Sequence, residues 1–133
     1  MNIVPEEFRD LLSDEVKAFV VIATISKNNT PMMTPVWFLT EGEYIIFLTS
    51  ADSAKAKNIK ARPQVGLLIM QEGNHLRYIE MRGTVVETLE VTQEFRSKLL
   101  LKYTGKEKSE PPPLGLVLFK IKPEKVFTYD ARS

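Results

Sequence analysis

A chain of 133 residues, 44% hydrophobic and 26% charged, has the length and composition of one folded domain and can bury a core without disulfides or metals. Its 18 basic and 17 acidic side chains nearly cancel, which removes any global pull toward nucleic acid or an anionic membrane and leaves only local anion sites. It has no cysteine and one histidine, His75, which excludes disulfides, thiolate catalysis, cysteine-ligated metals and a multi-histidine metal site within one chain.

Pro5-Glu6-Glu7-Phe8 puts proline and acids where a helix amino terminus favours them, and Phe8, Leu11 and Leu12 recur at helical spacing, which predicts a short helix over 5–13. Residues 18–26 are rich in Val, Ile and Thr and predict a buried strand. Lys27-Asn28-Asn29-Thr30 is a hairpin signal, since Asn tolerates left-handed backbone. Residues 31–40 run back as a strand, Glu41-Gly42-Glu43 turns, and 44–49 form a third strand. A second helix is predicted over 53–61, with Ser53 as its N-cap and Arg62-Pro63 as its end. Then come a strand over 64–70, a turn over 71–74 and a long strand over 76–88 that alternates between two faces. A third helix over 92–103 carries Phe95, Leu99 and Tyr103 on one side; 105–113 is charged and proline-rich, a loop or disordered segment. Residues 114–121 and 125–129 close the chain as two further strands.

Six or seven strands with short links and two or three short helices predict a mainly β domain over 1–133, an antiparallel barrel whose closure removes exposed edges. The acidic amino terminus lacks a signal-peptide core, and the longest apolar run, 18–25, is far shorter than a membrane span. The expectation is a cytoplasmic protein in which the Asn28-Asn29-Thr30 sequon is inert.

Three stretches carry candidate chemistry. Thr49-Ser50-Ala51-Asp52-Ser53-Ala54-Lys55-Ala56-Lys57-Asn58-Ile59 runs off a strand into a helix, which points free N–H groups and a positive dipole end at a ligand. Lys55 and Lys57 fall where cations oppose the macrodipole, and an anion held there would offset that cost. Thr49, Ser50 and Ser53 add hydroxyls, completing a candidate phosphate cradle; the competing reading is lysines that merely solvate a helix. In Thr34-Pro35-Val36-Trp37-Phe38, Pro35 removes a ladder donor, so the strand is at an edge, bulged, or faces a flat ligand. Trp37, the sole tryptophan, is expected to anchor the barrel core with its ring. On the long strand Tyr78, Glu80 and Arg82 share one face, either as a polar outer face with a Glu–Arg pair or as a dimer seam where Arg82 reaches an anion. His75 sits in a polar turn. With no phosphate-loop motif, Rossmann fingerprint or nucleophile elbow, no catalytic residue is assigned, and any chemistry falls to a cofactor.

Ala23-Thr24-Ile25, Thr34-Pro35-Val36-Trp37-Phe38, the Thr49-to-Ile59 stretch and Arg62-Pro63-Gln64-Val65 resemble the core of the pyridoxamine phosphate oxidase-like split-barrel flavoproteins. The branch concerned is the short one that includes deazaflavin-dependent reductases. The likeness continues through Arg77-Tyr78-Ile79-Glu80-Met81-Arg82-Gly83 and Lys122-Pro123-Glu124-Lys125-Val126-Phe127. The resemblance implies a six- to seven-stranded antiparallel split β-barrel of FMN-binding type, working as a homodimer. It also implies FMN, or the deazaflavin coenzyme F-420, at the dimer interface, and hydride transfer to a small-molecule substrate. Carried over by position, Thr49, Ser50, Ser53, Lys55 and Lys57 would bind the phosphate, and Asn58 would support their helix. Thr34, Pro35, Val36 and Trp37 would face the ring system through their backbone. Tyr78, Arg82 and Tyr129 would join near the seam.

The chain departs from that pattern where Ala51, Asp52 and Ala54 replace an arginine, a glycine and another arginine, so the anion site is weakened or suited to a different phosphorylated ligand. It ends Asp130-Ala131-Arg132-Ser133 without the arginine–histidine motif of true pyridoxamine phosphate oxidases, so vitamin B6 oxidation is not expected. Three other readings stay open: a flavin store or sensor without turnover, a haem-binding relative using His75, and a barrel that binds single-stranded nucleic acid. Near-neutral charge argues against the last, and the expectation is no nucleic-acid partner and no membrane.

Overall fold

Alternating apolar residues form a single antiparallel sheet of seven strands: β1 (Phe19–Ile25), β2 (Pro31–Val36), β3 (Phe38–Glu41), β4 (Tyr44–Ser50), β5 (Gln64–Gln71), β6 (Asn74–Leu89) and β7 (Leu116–Asp130). The computed structural model describes residues 1–107 and 110–132; Lys108, Ser109 and Ser133, and with them part of the expected loop over 105–113, lie outside the described residues. The spatial order is β2-β1-β5-β6-β7-β4-β3. Its two outermost strands, β2 and β3, are consecutive in the chain with only Trp37 between them. The sheet therefore curls until its ends are joined covalently, giving the split β-barrel that the sequence predicts.

Two strand boundaries differ from the sequence expectation. Residues 31–40 form two strands, because Pro31–Val36 pair with β1 whereas Phe38–Glu41 pair with β4 at the far end of the sheet. Residues 114–121 and 125–129 are instead parts of one strand, β7, that passes through Pro123. The register moves from Arg82↔Lys125 to Gly83↔Pro123, so a bulge absorbs Glu124 and the ladder tolerates a proline without a donor. Gly83 is required there: a Cβ would run into the carbonyl of Lys122.

Inward-facing Ile22, Phe38, Ile45, Phe47, Ile69, Ile79, Met81, Phe119 and Ile121 fill the barrel, each at most 1% exposed. Each contributes about 1.5–3 kcal/mol relative to exposure. The amino-terminal element is a 3₁₀ helix, Glu6–Leu12, that buries Phe8, Leu11 and Leu12 over one barrel end. Arg77 on β6 pins it, donating to Asp10 Oδ1 at 2.7 Å and to the Glu7 carbonyl at 2.8 Å while standing over the Phe8 ring. That hydrogen bond holds the Asp10 carboxyl below its ordinary pKa.

Two α-helices interrupt the strands. α1 (Ala54–Ala61) begins at Ser53 as expected, and α2 (Gln93–Thr104) is capped by Thr92 and ended by Gly105 in the left-handed conformation. α2 sets Leu99 and Tyr103, with Phe95 beside them, against Leu39 and Leu48 in a second, smaller core. The helical spacing of those three residues is therefore its packing face. Among the described residues, no helix is long and apolar enough to cross a membrane.

Candidate functional site

The chain leaves β4 at Ser50, whose carbonyl accepts the Ser53 N–H at 3.1 Å, and turns into α1. Ser53 Oγ accepts the Ala56 N–H at 3.1 Å, and the Ser53 carbonyl accepts the Lys57 N–H at 3.1 Å. Thr49 Oγ1 lies 3.4 Å from Ser53 Oγ, so the two hydroxyls form one polar edge beside the helix start. The N–H groups of Ala54 and Lys55 are those that the first turn of a helix leaves outside its own ladder. No acid stands in that turn. Lys55 is partly buried, and desolvation lowers its pKa below the ordinary lysine value. Lys57, two positions on, projects from a different side of the helix. It borders a cleft of about 470 Å³ shared with Ser26, Met32, Asn58 and Arg62.

Asn58 docks this helix on the first hairpin. It is 7% exposed, and its amide donates to Thr24 Oγ1 at 3.1 Å and to Met32 Sδ at 3.2 Å. Arg62 Nε donates to the Ile25 carbonyl at 2.8 Å. Asn58 thus faces the sheet and fixes the angle at which the helix start is presented. Two residues beyond Met32 on the same face of β2, the buried hydroxyl of Thr34 has no hydrogen-bond partner. An unpaired buried hydroxyl costs about 1–3 kcal/mol. Pro35 carries no such cost, because β2 pairs only with β1 and its other edge is open.

The structure does not bring Tyr78, Arg82 and Tyr129 to this place. Tyr78 pairs directly with Tyr129, the rings 5.5 Å apart, and falls in one cross-strand row with Met70 and Phe19. Phe19 is six residues along β1 from Ile25, where α1 is docked, a separation of about 20 Å at the usual strand rise. Arg82 donates to Glu80 Oε2 at 3.1 Å and covers the Phe127 ring at 4.9 Å. It lines an outer-face cavity of about 630 Å³, floored by Ala23, Ile25 and Gly66 and rimmed by Lys125 and Glu124. The same outer face exposes Phe19 (51%), Met33 (69%), Phe127 (49%) and Tyr129 (48%). The Glu80–Arg82 pair expected from the sequence is present, and it lies on an apolar surface.

Trp37 is a correction. Its ring does not anchor the barrel core: it is 43% exposed, whereas Val36 and Phe38 on either side are buried. The chain crosses from one sheet edge to the other at this residue, and with both neighbours pointing inward the indole is turned out. It stacks on Tyr103 of α2, with ring centroids 4.8 Å apart and planes 3° from parallel. Tyr103 was legible only as a packing residue of α2. Its hydroxyl donates to the Ala18 carbonyl at 3.3 Å and accepts from the Phe38 N–H at 3.4 Å. Burial raises its pKa to about 12.

Beside it, Lys102 Nζ donates to the Phe38 carbonyl at 3.0 Å and stands 3.7 Å above the Phe38 ring. Burial lowers the Lys102 pKa to about 8, against an opposing attraction from Asp14. Between that value and the ordinary 10.5, the unfolded chain holds a proton that the native chain has released, so native stability rises with pH across the window. Relative to Lys102→Met, the wild type is expected to gain roughly 1 kcal/mol from pH 7.5 to 9.5, discounted for partial solvation. Urea unfolding of both proteins at the two pH values measures this; a difference independent of pH would refute it.

The family model described as pyridoxamine 5'-phosphate oxidase matches residues 4–130. The chain is similar to a solved F420 reductase, with 30% identity and a TM-score of 0.82, over 93% of this chain and 98% of that one. A conserved hypothetical protein from Mycobacterium tuberculosis aligns at 23% identity and a TM-score of 0.77, over 98% and 88% of the two chains. General Stress Protein 26 from Bacillus anthracis aligns at 22% and 0.68, over 93% and 92%. The last two likenesses concern the fold. Among curated proteins no relative matches.

Proposed function

The chain belongs to the pyridoxamine 5'-phosphate oxidase family, and on that premise we propose that it is a homodimeric oxidoreductase that holds FMN or a deazaflavin between its two copies. The observation that carries this reading is the start of α1, where Lys55 and Lys57 follow free N–H groups with no acid in the first turn. An isolated helix would not favour cations there; a bound phosphate makes the arrangement favourable. Thr49 and Ser53 supply hydroxyls along one edge, Ser50 stands exposed at the end of β4, and Asn58 holds the helix in place. The open edge of β2 at Pro35 and Val36, with Trp37 just beyond it, suits a flat ring. When bound, such a ring system supplies two-electron hydride chemistry, and the protein contributes binding and orientation.

The outer face supports the dimer. Phe19, Met33, Phe127 and Tyr129 are too exposed and too apolar for a surface that stays in water, and a second copy of the same face would cover them. In that arrangement Tyr78, Arg82 and Tyr129 of one copy reach the ligand held by α1 of the other, which accounts for their distance from α1 within one chain. Similarity to the F420 reductase supports a deazaflavin, whereas the phosphate edge suits either molecule.

The absorption spectrum of the purified protein, followed by separate titrations with FMN and with the deazaflavin coenzyme F-420, tests the reading. Binding of either at micromolar dissociation constant or tighter, on the order of −8 kcal/mol, is expected. Failure of both to bind would refute it. Reduction of the bound ring by a nicotinamide cofactor, followed by reoxidation, separates an oxidoreductase from a flavin store.

A further inference from the structure

We propose that Trp37, backed by Tyr103, is a platform on which a flat, uncharged aromatic substrate stacks; this rests on the flavin-site reading for its neighbour but not for its own geometry. With one face stacked on Tyr103, the Trp37 residue still has 43% of its surface exposed, room for a further ring to pack on it. Its orientation is fixed from behind. The Tyr103 ring lies parallel beneath it, and the Tyr103 hydroxyl is held between the Ala18 carbonyl and the Phe38 N–H. Lys102 holds the Phe38 carbonyl, so both backbone polar groups of the residue following Trp37 are tied to α2.

The platform therefore consists of one pinned aromatic ring, Trp37, held on Tyr103. A preorganised ring loses little entropy when another ring stacks on it, and offset stacking contributes about 0.5–1.5 kcal/mol beyond the area buried. A second protein copy would meet this spot with the irregular side chains of an interface, whereas the parallel stack already formed by Tyr103 and Trp37 is extended most simply by another plane. The platform adjoins the open edge of β2, so a ring stacked on Trp37 would sit beside the proposed flavin. Tyr103 and Lys102 are positioning residues in this scheme, acting through Trp37.

Trp37 is the sole tryptophan, so its indole N–H gives one resonance in a nitrogen–proton correlation spectrum. The full chain, loaded with whichever flavin it binds or free if it binds neither, is titrated with 2-naphthalenemethanol. A parallel titration uses its saturated, puckered analogue, decahydro-2-naphthalenemethanol. The expected result is a saturable shift of the indole resonance with the planar probe at least tenfold tighter than with the puckered one. Tyr103→Leu is expected to weaken planar-probe binding at least fivefold, and Tyr103→Phe, which keeps the stack, to recover most of it. Equal response to the two probes, no shift with either, or unchanged binding in a folded Tyr103→Leu would overturn the proposal. Flavin absorbance read in the same samples reports on the cofactor separately, so loss of either reading leaves the other measurable.

Discussion

Replacing both Lys55 and Lys57 with alanine is expected to weaken flavin binding about 10²- to 10³-fold while leaving the fold unchanged. A hydrogen bond from a charged donor such as Lys55 contributes about 1.5–3 kcal/mol, and Lys57, on another side of the helix, adds a longer-range attraction of about 1 kcal/mol. A combined loss of about 3–4 kcal/mol corresponds to that range of affinity. The fold survives because neither ammonium supports it. Lys57 is exposed, and Lys55 is held partly out of water with its charged form disfavoured. Both cations also oppose the helix dipole, so the ligand-free double variant is expected to melt at the same temperature as the wild type or slightly higher. Calorimetric titration with the bound flavin and thermal unfolding without it separate the two effects. Unchanged affinity would remove the phosphate from this helix, and lowered ligand-free stability would make the lysines structural.

Much of this arrangement was legible in the sequence because it rests on local rules. Ser53 caps α1 because a serine oxygen is well placed to accept an N3 amide, and that is visible from type and position alone. The strand over β6 was read from its alternation, and burial of Ile79 and Met81 against the outward Glu80 and Arg82 follows from the pleat. Pro35 narrowed its strand to an edge, a bulge or a ligand-facing position, because a missing donor is tolerated at few places in a sheet, and β2 lies at the edge. What escaped depends on partners distant in sequence. Trp37 looked like a core residue because large aromatic rings usually are. Its exposure follows from a change of pairing partner between Val36 and Phe38, which requires knowing that β2 and β3 lie at opposite ends of the sheet. The stack on Tyr103 spans 66 positions of chain and left no local trace. Likewise Pro123 suggested two strands, and only the Gly83 register, where β6 admits no side chain, shows how one strand accommodates it.

Phe127→Arg is expected to convert the proposed dimer to a monomer over the micromolar range and to weaken flavin binding with it. Phe127 lies opposite Glu80 in a cross-strand row that continues over successive strands through Leu68, Val21 and Pro35, and its ring already carries the Arg82 guanidinium. Half of the ring is open to water in one chain. Association would bury it near the middle of the apolar face, where a few aromatic residues supply most of the binding energy. An arginine there loses that contact and, through the two-fold, brings two new charges toward one apolar seam, for a combined cost of about 3–5 kcal/mol or a 10²- to 10⁴-fold weaker dimer. Arginine is chosen over an acid because the directly opposite Glu80 can pair with it within the monomer, so the sheet is kept and circular dichroism should not change. Sedimentation equilibrium reads the association and flavin absorbance reads the site. If the wild type sediments as a monomer at high micromolar concentration, the outer face has another occupant. If the variant is monomeric yet binds flavin with wild-type affinity, the partner copy contributes nothing to the site, and Tyr78, Arg82 and Tyr129 must be withdrawn from it.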